Sequence, residues 1–317
     1  MEKDYFRYII EDGEVRITDY SGNEEEVCIP PEIDGIPVTG IGKGAFEFCV
    51  SPKKITIPKG VARIGNDAFC GCSNLSEITI PEGVKSIGKG ALSRCPGLKE
   101  IRLPGSVETI GSHAFSSDTG LTEIVIPEGV ETIGRLTFSG CTGLTRIALP
   151  ESVTGIGDGA FSGCAGLRDI KIPDGVTKIE MRTFEGCRSL QEITLPANIT
   201  GIGSDAFSGC SSLTGITIPA AVTGIGSDAF RGCTGLKEIT IFTSDVAIMR
   251  DLEEDLPEGA KIVNRSEFYT QRIGKALDTF KKIIADPADA EALVKKIDSL
   301  SITDKELFLG IFEGFAK

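Results

Sequence analysis

The sequence predicts an α/β repeat solenoid, a fold in which short similar coils stack in one direction and share a core. The first observation is a repeat: Ile55-Thr56-Ile57-Pro58 recurs every 23 residues without insertion. The later copies begin at Ile78, Ile101, Ile124, Ile147, Ile170, Ile193 and Ile216. The second is strand periodicity, because Leu75, Ile78 and Ile80 alternate with polar residues. One unit cannot bury its apolar side chains alone, so neighbouring units must stack, with parallel strands about 4.8 Å apart.

Each unit reads I-x-(I/L)-P-x-x-(V/I)-x-x-I-G-x-x-(A/T)-(F/L)-x-x-C-x-x-L-x-x. After the strand, Val84 and Ile87 predict a second, shorter extended segment. We expect Gly88 to supply a turn with positive φ, and Ala91-Leu92 to form a helical or 3₁₀ turn. Glu180 interrupts the glycine column, which predicts a local irregularity or a contact site at that coil.

The phenylalanines of successive units predict a buried aromatic column, in which Leu92 is the exception. Its members are Phe46, Phe69, Phe115, Phe138, Phe161, Phe184, Phe207 and Phe230. Eight cysteines occupy another repeat position, and Asp118 replaces the cysteine in one coil. Side chains that point the same way resist disulfide geometry, and thiols suit a core column. We therefore expect a reduced, structural cysteine column and a reducing or anaerobic setting.

The two ends differ from the repeats, and four segments are predicted. Residues 1–54 form an N-terminal β cap, with a hairpin at Asp12-Gly13, and a degenerate first repeat. Residues 55–242 hold eight repeats and a terminal strand, and residues 243–265 are a linker. Residues 266–317 show helical periodicity and predict three helices. These helices either cap the last coil or form a small partner-binding bundle, with Phe308, Phe312 and Phe315 partly exposed.

Reactive chemistry is not expected in this chain. His113, the single histidine, occupies a freely varied position that predicts a solvent-facing loop, and no catalytic triad can be built around it. Cys70-Gly71-Cys72 lacks a second metal-ligand pair, so no metal site is expected. Gly155–Gly159 resembles a phosphate-binding loop but lacks the following Gly-Lys-Ser/Thr motif. We expect no catalytic residue, no cofactor and no small-molecule ligand.

Composition excludes two classes of partner. The net charge of −13 argues against a nucleic-acid surface, and no run of about 18 apolar residues predicts membrane insertion. The start of the chain lacks the apolar stretch of a secretory signal. A cytoplasmic location is therefore expected if the chain is full length. A cell-surface or secreted location is the alternative if a signal peptide was removed.

The outward positions of the first strand predict the binding surface. These positions mostly hold Glu and Thr, but the middle coils depart from that norm. The departing residues predict a patch that contacts a partner, and they are Arg102, Val125, Arg146, Arg168, Asp169 and Lys171. The alternative is that threonine suits strands and the charges only keep the face soluble. No exposed Trp or Tyr column favours a sugar-stacking platform.

The repeat unit resembles the BspA-like (Treponema-type, LRR_5) leucine-rich repeats over residues 5 to 242. The N-terminal segment, from Tyr5 to Ile17 and from Ile29 to Val38, is also similar to the first segment of that family. The resemblance implies a curved, right-handed leucine-rich-repeat stack with a parallel sheet on its concave side. It implies no catalytic residues and a binding role. We expect a non-catalytic scaffold that binds an unidentified protein through the concave face; the alternative is a cell-surface adhesin-like module for host protein or glycan.

Overall fold

The computed structural model describes residues 5–242 and 246–264. This part of the chain forms a parallel β-solenoid whose coils follow the 23-residue repeat, with Ile55 beside Ile78 and Ile64 beside Ile87. Each coil has three sides. The strand face carries the strand of the Ile-x-Ile-Pro segment, the second-strand face carries the short strand before the repeat glycine, and the turn face carries the Ala-Phe-x-x-Cys turns.

The strands account for two of the three sides. In chain order they are β1 Phe6–Glu11, β2 Glu14–Tyr20, β3 Glu26–Cys28, β4 Glu32–Ile33, β5 Ile36–Ile41, β6 Lys54–Thr56, β7 Arg63–Ile64, β8 Glu77–Thr79, β9 Ser86–Ile87, β10 Glu100–Arg102, β11 Thr109–Ile110, β12 Glu123–Val125, β13 Thr132–Ile133, β14 Arg146–Ala148, β15 Gly155–Ile156, β16 Asp169–Lys171, β17 Lys178–Ile179, β18 Glu192–Thr194, β19 Gly201–Ile202, β20 Gly215–Thr217, β21 Glu238–Ile241 and β22 Lys261–Asn264. One helix is described, α1 Val246–Asp255. The strand face is built from β3, the even-numbered strands β6 to β20, β21 and β22. Its parallel ladders are β3-β6-β8, β10-β12-β14, β16-β18 and β20-β21-β22.

The predicted aromatic column is confirmed. All eight phenylalanines of the repeat have 0% of their surface exposed. From Phe115 to Phe230 neighbouring rings stack with centroids 5.4 to 5.6 Å apart. In the N-terminal cap, Tyr20 stacks on Phe46 at 4.9 Å and so extends the column. Leu92, also fully buried, separates two stacked segments of the column.

The turn face contains alternating 3₁₀-type turns and bonds between coils rather than a helix. Asp67 and Gly71 both have positive φ, at 54° and 74°. The amides of Asp67, Phe69 and Gly71 donate to carbonyl oxygens of the next coil at 2.7 to 2.8 Å. The intervening amides, such as that of Cys70, donate three residues back along their own coil. Each coil before the last thus pairs its turn backbone with the next coil.

The role predicted for Gly88 is wrong, because Gly88 is not among the described residues with positive φ. The left-handed conformation instead belongs to the freely varied residue two positions later, as at Gly90 with φ 62°. A Cβ atom at Gly88 would lie 2.5 Å from the carbonyl carbon of Gly65 in the preceding coil. The glycine column therefore exists because the backbones of neighbouring coils approach too closely for a side chain.

Glu180 marks the irregularity that its place in the glycine column predicts. The ladder of the second-strand face pairs β13 with β15 and β17 with β19, but it is interrupted between β15 and β17, beside Glu180. One other interruption lies between β11 and β13. The interruption between β11 and β13 occurs where the column keeps its glycines, Gly111 and Gly134, so the side chain at position 180 alone does not account for such a break.

Replacement of Gly157 by alanine is expected to lower the free energy of unfolding by about 1–3 kcal/mol, the range found when a well-packed interior receives extra atoms. The added Cβ would lie 2.8 Å from the Arg135 amide nitrogen. Gly155→Ala, two residues away, is the matched control because its Cβ would meet only a methyl group at 3.5 Å. Urea denaturation of the two variants checks this, and equal losses would contradict the close-approach explanation.

The predicted N-terminal hairpin is confirmed. Strands β1 and β2 are antiparallel, and the turn residues Asp12 and Gly13 have φ of 52° and 79°, as a two-residue hairpin requires. Strand β2 then pairs in parallel with β5 and begins the second-strand face. A second hairpin, at Asp34-Gly35, joins β4 to β5.

The predicted linker at residues 243–265 needs correction, because its described part continues the solenoid. Ile248 and Leu252 of α1 are buried in the common core. Strand β22 pairs in parallel with β21, and Ile262 lies opposite Ile239, again 23 residues apart. The acidic run of residues 251–255 suggested a linker, but burial of one helix face outweighs it. The helices predicted at residues 266–317, including Phe308, Phe312 and Phe315, lie outside the described residues.

Asp255, at the end of α1, covers the open turn face of the last coil. The Phe230 amide donates to its Oδ2 at 3.4 Å, where earlier coils have a carbonyl of the next coil. Burial raises the pKa of Asp255, and its hydrogen bonds to backbone amides oppose that shift. The carboxylate of Asp255 thus takes the place of the carbonyl oxygen that a following coil would offer to the Phe230 amide.

Candidate partner-binding face

The strand face presents two outward columns. In β10, β12 and β14 the middle isoleucine is buried, and the first and third residues are exposed. Parallel pairing places Arg102 beside Val125 and Val125 beside Ala148 in one column. In the other column Glu123 lies beside Arg146. The alternation is inherent to a strand, whose neighbouring side chains point to opposite faces.

All six residues of the predicted patch are exposed, namely Arg102, Val125, Arg146, Arg168, Asp169 and Lys171. The structure places five of them on the consecutive strands β10, β12, β14 and β16, and Arg168 directly precedes β16. Strands β14 and β16 are not paired with each other, so direct strand pairing connects only the first three of these strands. We name this set the central patch.

The charges of the central patch are not equally available to a partner. The Nζ of Lys171 donates to Oε1 of Glu151 at 2.6 Å. This hydrogen bond raises the pKa of Lys171 and lowers that of Glu151. Among the described residues, the three arginines of the central patch, Arg102, Arg146 and Arg168, have no carboxylate within 4.0 Å. The three arginines are therefore the cations that a partner would meet unpaired.

Val125 gives the central patch an apolar point. It is 58% exposed, although valine is a residue type that usually lies in the core. Its strand neighbours are Arg102 and Ala148, so a small apolar area of valine and alanine lies beside a charged side chain. An apolar centre with a charged rim is typical of protein interfaces. The sequence revealed these positions but not the Lys171–Glu151 pair, because those residues are 20 apart.

The cysteine column has a structural role that the sequence did not reveal. From Cys72 onward, each thiol of the column donates to the carbonyl of the phenylalanine 26 residues earlier, with sulfur–oxygen distances of 3.0 to 3.2 Å. Burial raises the pKa of Cys187 to about 12 and that of Cys164 well above its usual value. Because these thiols remain protonated, they are donors within the core rather than nucleophiles.

The other candidates for chemistry lie apart from the central patch. His113 is half-buried on the turn face with φ 61°, not in the freely exposed loop predicted for it. Burial raises the pKa of Cys70. Within residues 5–242 and 246–264, no three His, Cys, Asp or Glu side chains are placed to hold a metal ion. No helix in this same part of the chain combines the length and the apolar character needed to cross a bilayer.

Parallel coils of fixed length, a continuous core and an exposed strand face define a leucine-rich-repeat solenoid. The family profile described as BspA type leucine rich repeat region matches residues 39–168 and 131–251, with six copies. The chain belongs to this family. No curated protein is similar enough to count as a match.

Solved structures of bacterial leucine-rich repeat proteins share the fold. One from Bacteroides ovatus is 33% identical with a TM-score of 0.65, over 76% of this chain and 70% of that one. One from T. pallidum is 27% identical with a TM-score of 0.50, over 83% and 99%. A leucine rich cell surface protein from Faecalibacterium prausnitzii is 26% identical with a TM-score of 0.50, over 83% and 94%.

Proposed function

We propose that this protein is a non-catalytic scaffold that binds a protein partner through the central patch, on the face that the family resemblance places on the concave side. The observation that carries the proposal is the exposed Val125 between two strands that carry exposed arginines, Arg102 and Arg146, which are two of the three arginines of the patch without an ion pair among the described residues. Arginine is one of the residue types enriched among the contacts that dominate protein interfaces.

The strand face is also suited to binding because it is rigid before contact. Strand β12, which carries Val125, is paired with both β10 and β14, so little conformational entropy is lost there when a partner docks. The partner would carry a carboxylate for each arginine and an apolar side chain for Val125. Such complementary charge fixes orientation and accelerates association more than it adds affinity.

The double variant Arg102→Glu/Arg146→Glu is expected to lose partner binding by at least about tenfold, because two attractive contacts become repulsive. Quantitative capture from the native lysate with immobilised protein measures this, followed by titration of the captured protein. Arg63→Glu is the matched control, since Arg63 is exposed on the second-strand face. A partner retained by the double variant and lost with the control would contradict the assignment to this face.

A cell-surface adhesin-like role for host protein or glycan is the second candidate. It is favoured by the F. prausnitzii protein, which is described as a cell surface protein and shares the fold over 83% of this chain. Detection of the native protein by antibody on intact, washed cells supports this role. Recovery of the protein only after cell lysis would contradict the adhesin-like role and leave the partner-binding scaffold as the remaining proposal.

A further inference from the structure

The turn face, a different side of the coil from the central patch, contains a pocket with a volume of about 330 Å³. Lys89, Arg94 and His113 line it, together with Asp67 and the hydroxyl-bearing Ser117. Three basic residues thus converge from two neighbouring coils in a chain whose net charge is −13. The pocket is therefore locally positive, whereas the protein as a whole is negatively charged.

The cations of this pocket differ from those of later coils on the same face. Arg182 pairs with Asp205 at 3.4 Å, and Arg231 pairs with Asp228 at 3.5 Å. Lys89 and Arg94 have no ion pair within 4.0 Å among the described residues. Unpaired cations around a concavity leave their charge available to an anion from outside.

The residues around His113 show that the pocket remains electropositive despite Asp67. The pKa of His113 is lowered first by burial and then by Lys89 and Arg135, while Asp67 raises it by less. Arg94 and Cys70 complete the titratable groups of the pocket wall. Burial also raises the pKa of Cys70, so this thiol adds no negative charge at neutral pH.

The backbone conformation of Arg94 is one that glycine adopts at the same repeat position in other coils. Arg94 has φ 61°; the same repeat position holds Phe48 and Ser117, with φ of 58° and 65°, and glycine in the other coils, with φ of 69° to 75°. The left-handed conformation disfavours any side chain with a Cβ atom. Arg94→Gly would therefore remove the cation and keep the turn conformation.

We propose that this pocket binds a tetrahedral oxyanion, a phosphate or sulfate group, which Lys89 and Arg94 hold as permanent cations and His113 holds when protonated. The site lies on a different side of the coil from the central patch and does not depend on partner binding there. Two fixed charges and one inducible charge match a divalent anion better than a monovalent carboxylate.

Oxyanion binding and protonation of His113 must favour each other. The bound anion introduces negative charge beside an imidazole whose pKa Lys89 and Arg135 lower, and this raises that pKa. Affinity for the anion therefore increases as the pH falls through the pKa of His113. Asp67 has the opposite effect, because its carboxylate repels the anion.

Because His113 is the single histidine, its ring proton resonances report the site without ambiguity. Sulfate, which stays divalent across the titration, is the principal probe, compared with chloride at matched ionic strength. Sulfate is expected to raise the pKa of His113 by about one unit, and inorganic phosphate by a similar amount. No difference from chloride, or an equal shift with acetate, would overturn the proposal.

Arg94→Gly is the decisive variant because it removes the cation and relieves the backbone. It is expected to lose the sulfate-induced shift while its thermal midpoint is equal to or above that of the parent. Lys89→Ala is expected to lose most of the shift, and Lys43→Ala to keep it. Lys43 occupies the same Gly-Lys-Gly-Ala sequence in an earlier coil. A full shift in Arg94→Gly, or equal losses in the two lysine variants, would overturn the assignment.

Discussion

Replacement of Phe161 by alanine is expected to lower the free energy of unfolding by about 3–5 kcal/mol, the loss typical of a buried aromatic ring. The ring is fully buried. It stacks between Phe138 and Phe184, with centroids 5.6 and 5.5 Å away. Truncation therefore removes two ring contacts and leaves a cavity that the rigid coils cannot close. Urea denaturation followed by circular dichroism measures the loss.

Phe48→Ala controls for the residue type, because Phe48 is 61% exposed on the turn face. Its replacement is expected to change the free energy of unfolding by less than about 1 kcal/mol, as for most surface substitutions. In a repeat protein each coil contacts only its neighbours, so a loss of stability at one coil acts on the rest of the stack through those neighbours. A Phe48 variant as unstable as the Phe161 variant would contradict the central role of the ring column.

Asp118→Cys, which restores the repeat thiol, is expected to raise the free energy of unfolding by about 1–3 kcal/mol, the cost of a buried polar atom without a partner. Asp118 is fully buried. Its Oδ1 accepts a hydrogen bond from the Cys95 amide at 2.7 Å, and its Oδ2 has no partner. In other coils the thiol at this position donates to a carbonyl. Thermal and urea unfolding of the parent and the variant measure the gain.

The pH dependence provides a separate check on Asp118. Burial raises its pKa well above the usual value, so the folded state binds this proton more tightly than the unfolded chain. The contribution of Asp118 is therefore most favourable below about pH 4, the pKa of an unfolded aspartate. It is lost as the pH rises toward the folded-state pKa, by up to about 1.4 kcal/mol per pH unit.

In Asp118→Cys this pH-dependent loss is expected to disappear. The measured quantity is the difference between the unfolding free energies of parent and variant, followed from pH 4 upward. Asp174→Asn, at an exposed residue, is expected to keep the parental slope. A difference between parent and Asp118→Cys that does not change with pH would show that position 118 holds no carboxyl with a raised pKa.

The coils could be predicted from sequence because eight copies repeat the same signal. Spacing alone located the strands and the buried Phe column. The turn face could not be predicted in this way, because the residues there with positive φ include Asp67, His113, Leu136 and Arg182. No residue type marks that conformation; hydrogen bonds between coils impose it. The role of Gly88 could not be predicted either, because the close approach of the preceding coil requires glycine there and no positive φ does.

The end of the solenoid was missed although two signals were present. Ile248 and Leu252 have the spacing of a helix face, and Ile262 follows Ile239 by one full repeat. Phe242 stands there in place of the proline of the motif, so the motif is incomplete. For the central patch, the sequence located the exposed residues. It could not show which of their charges are already paired, because ion pairs such as Lys171–Glu151 form only in the folded chain.

The one-way direction of the turn-face hydrogen bonds has an electrical consequence. Amides such as those of Phe69 and Phe161 all donate toward the C-terminal end of the stack, so their peptide dipoles add instead of cancelling. In an α-helix the same addition makes the N-terminus positive; along this edge the polarity is reversed, and the positive pole is at the C-terminal end. The Asp255 carboxylate lies at that pole. A molecule that approaches this edge therefore meets an electric axis that distinguishes one end of the stack from the other.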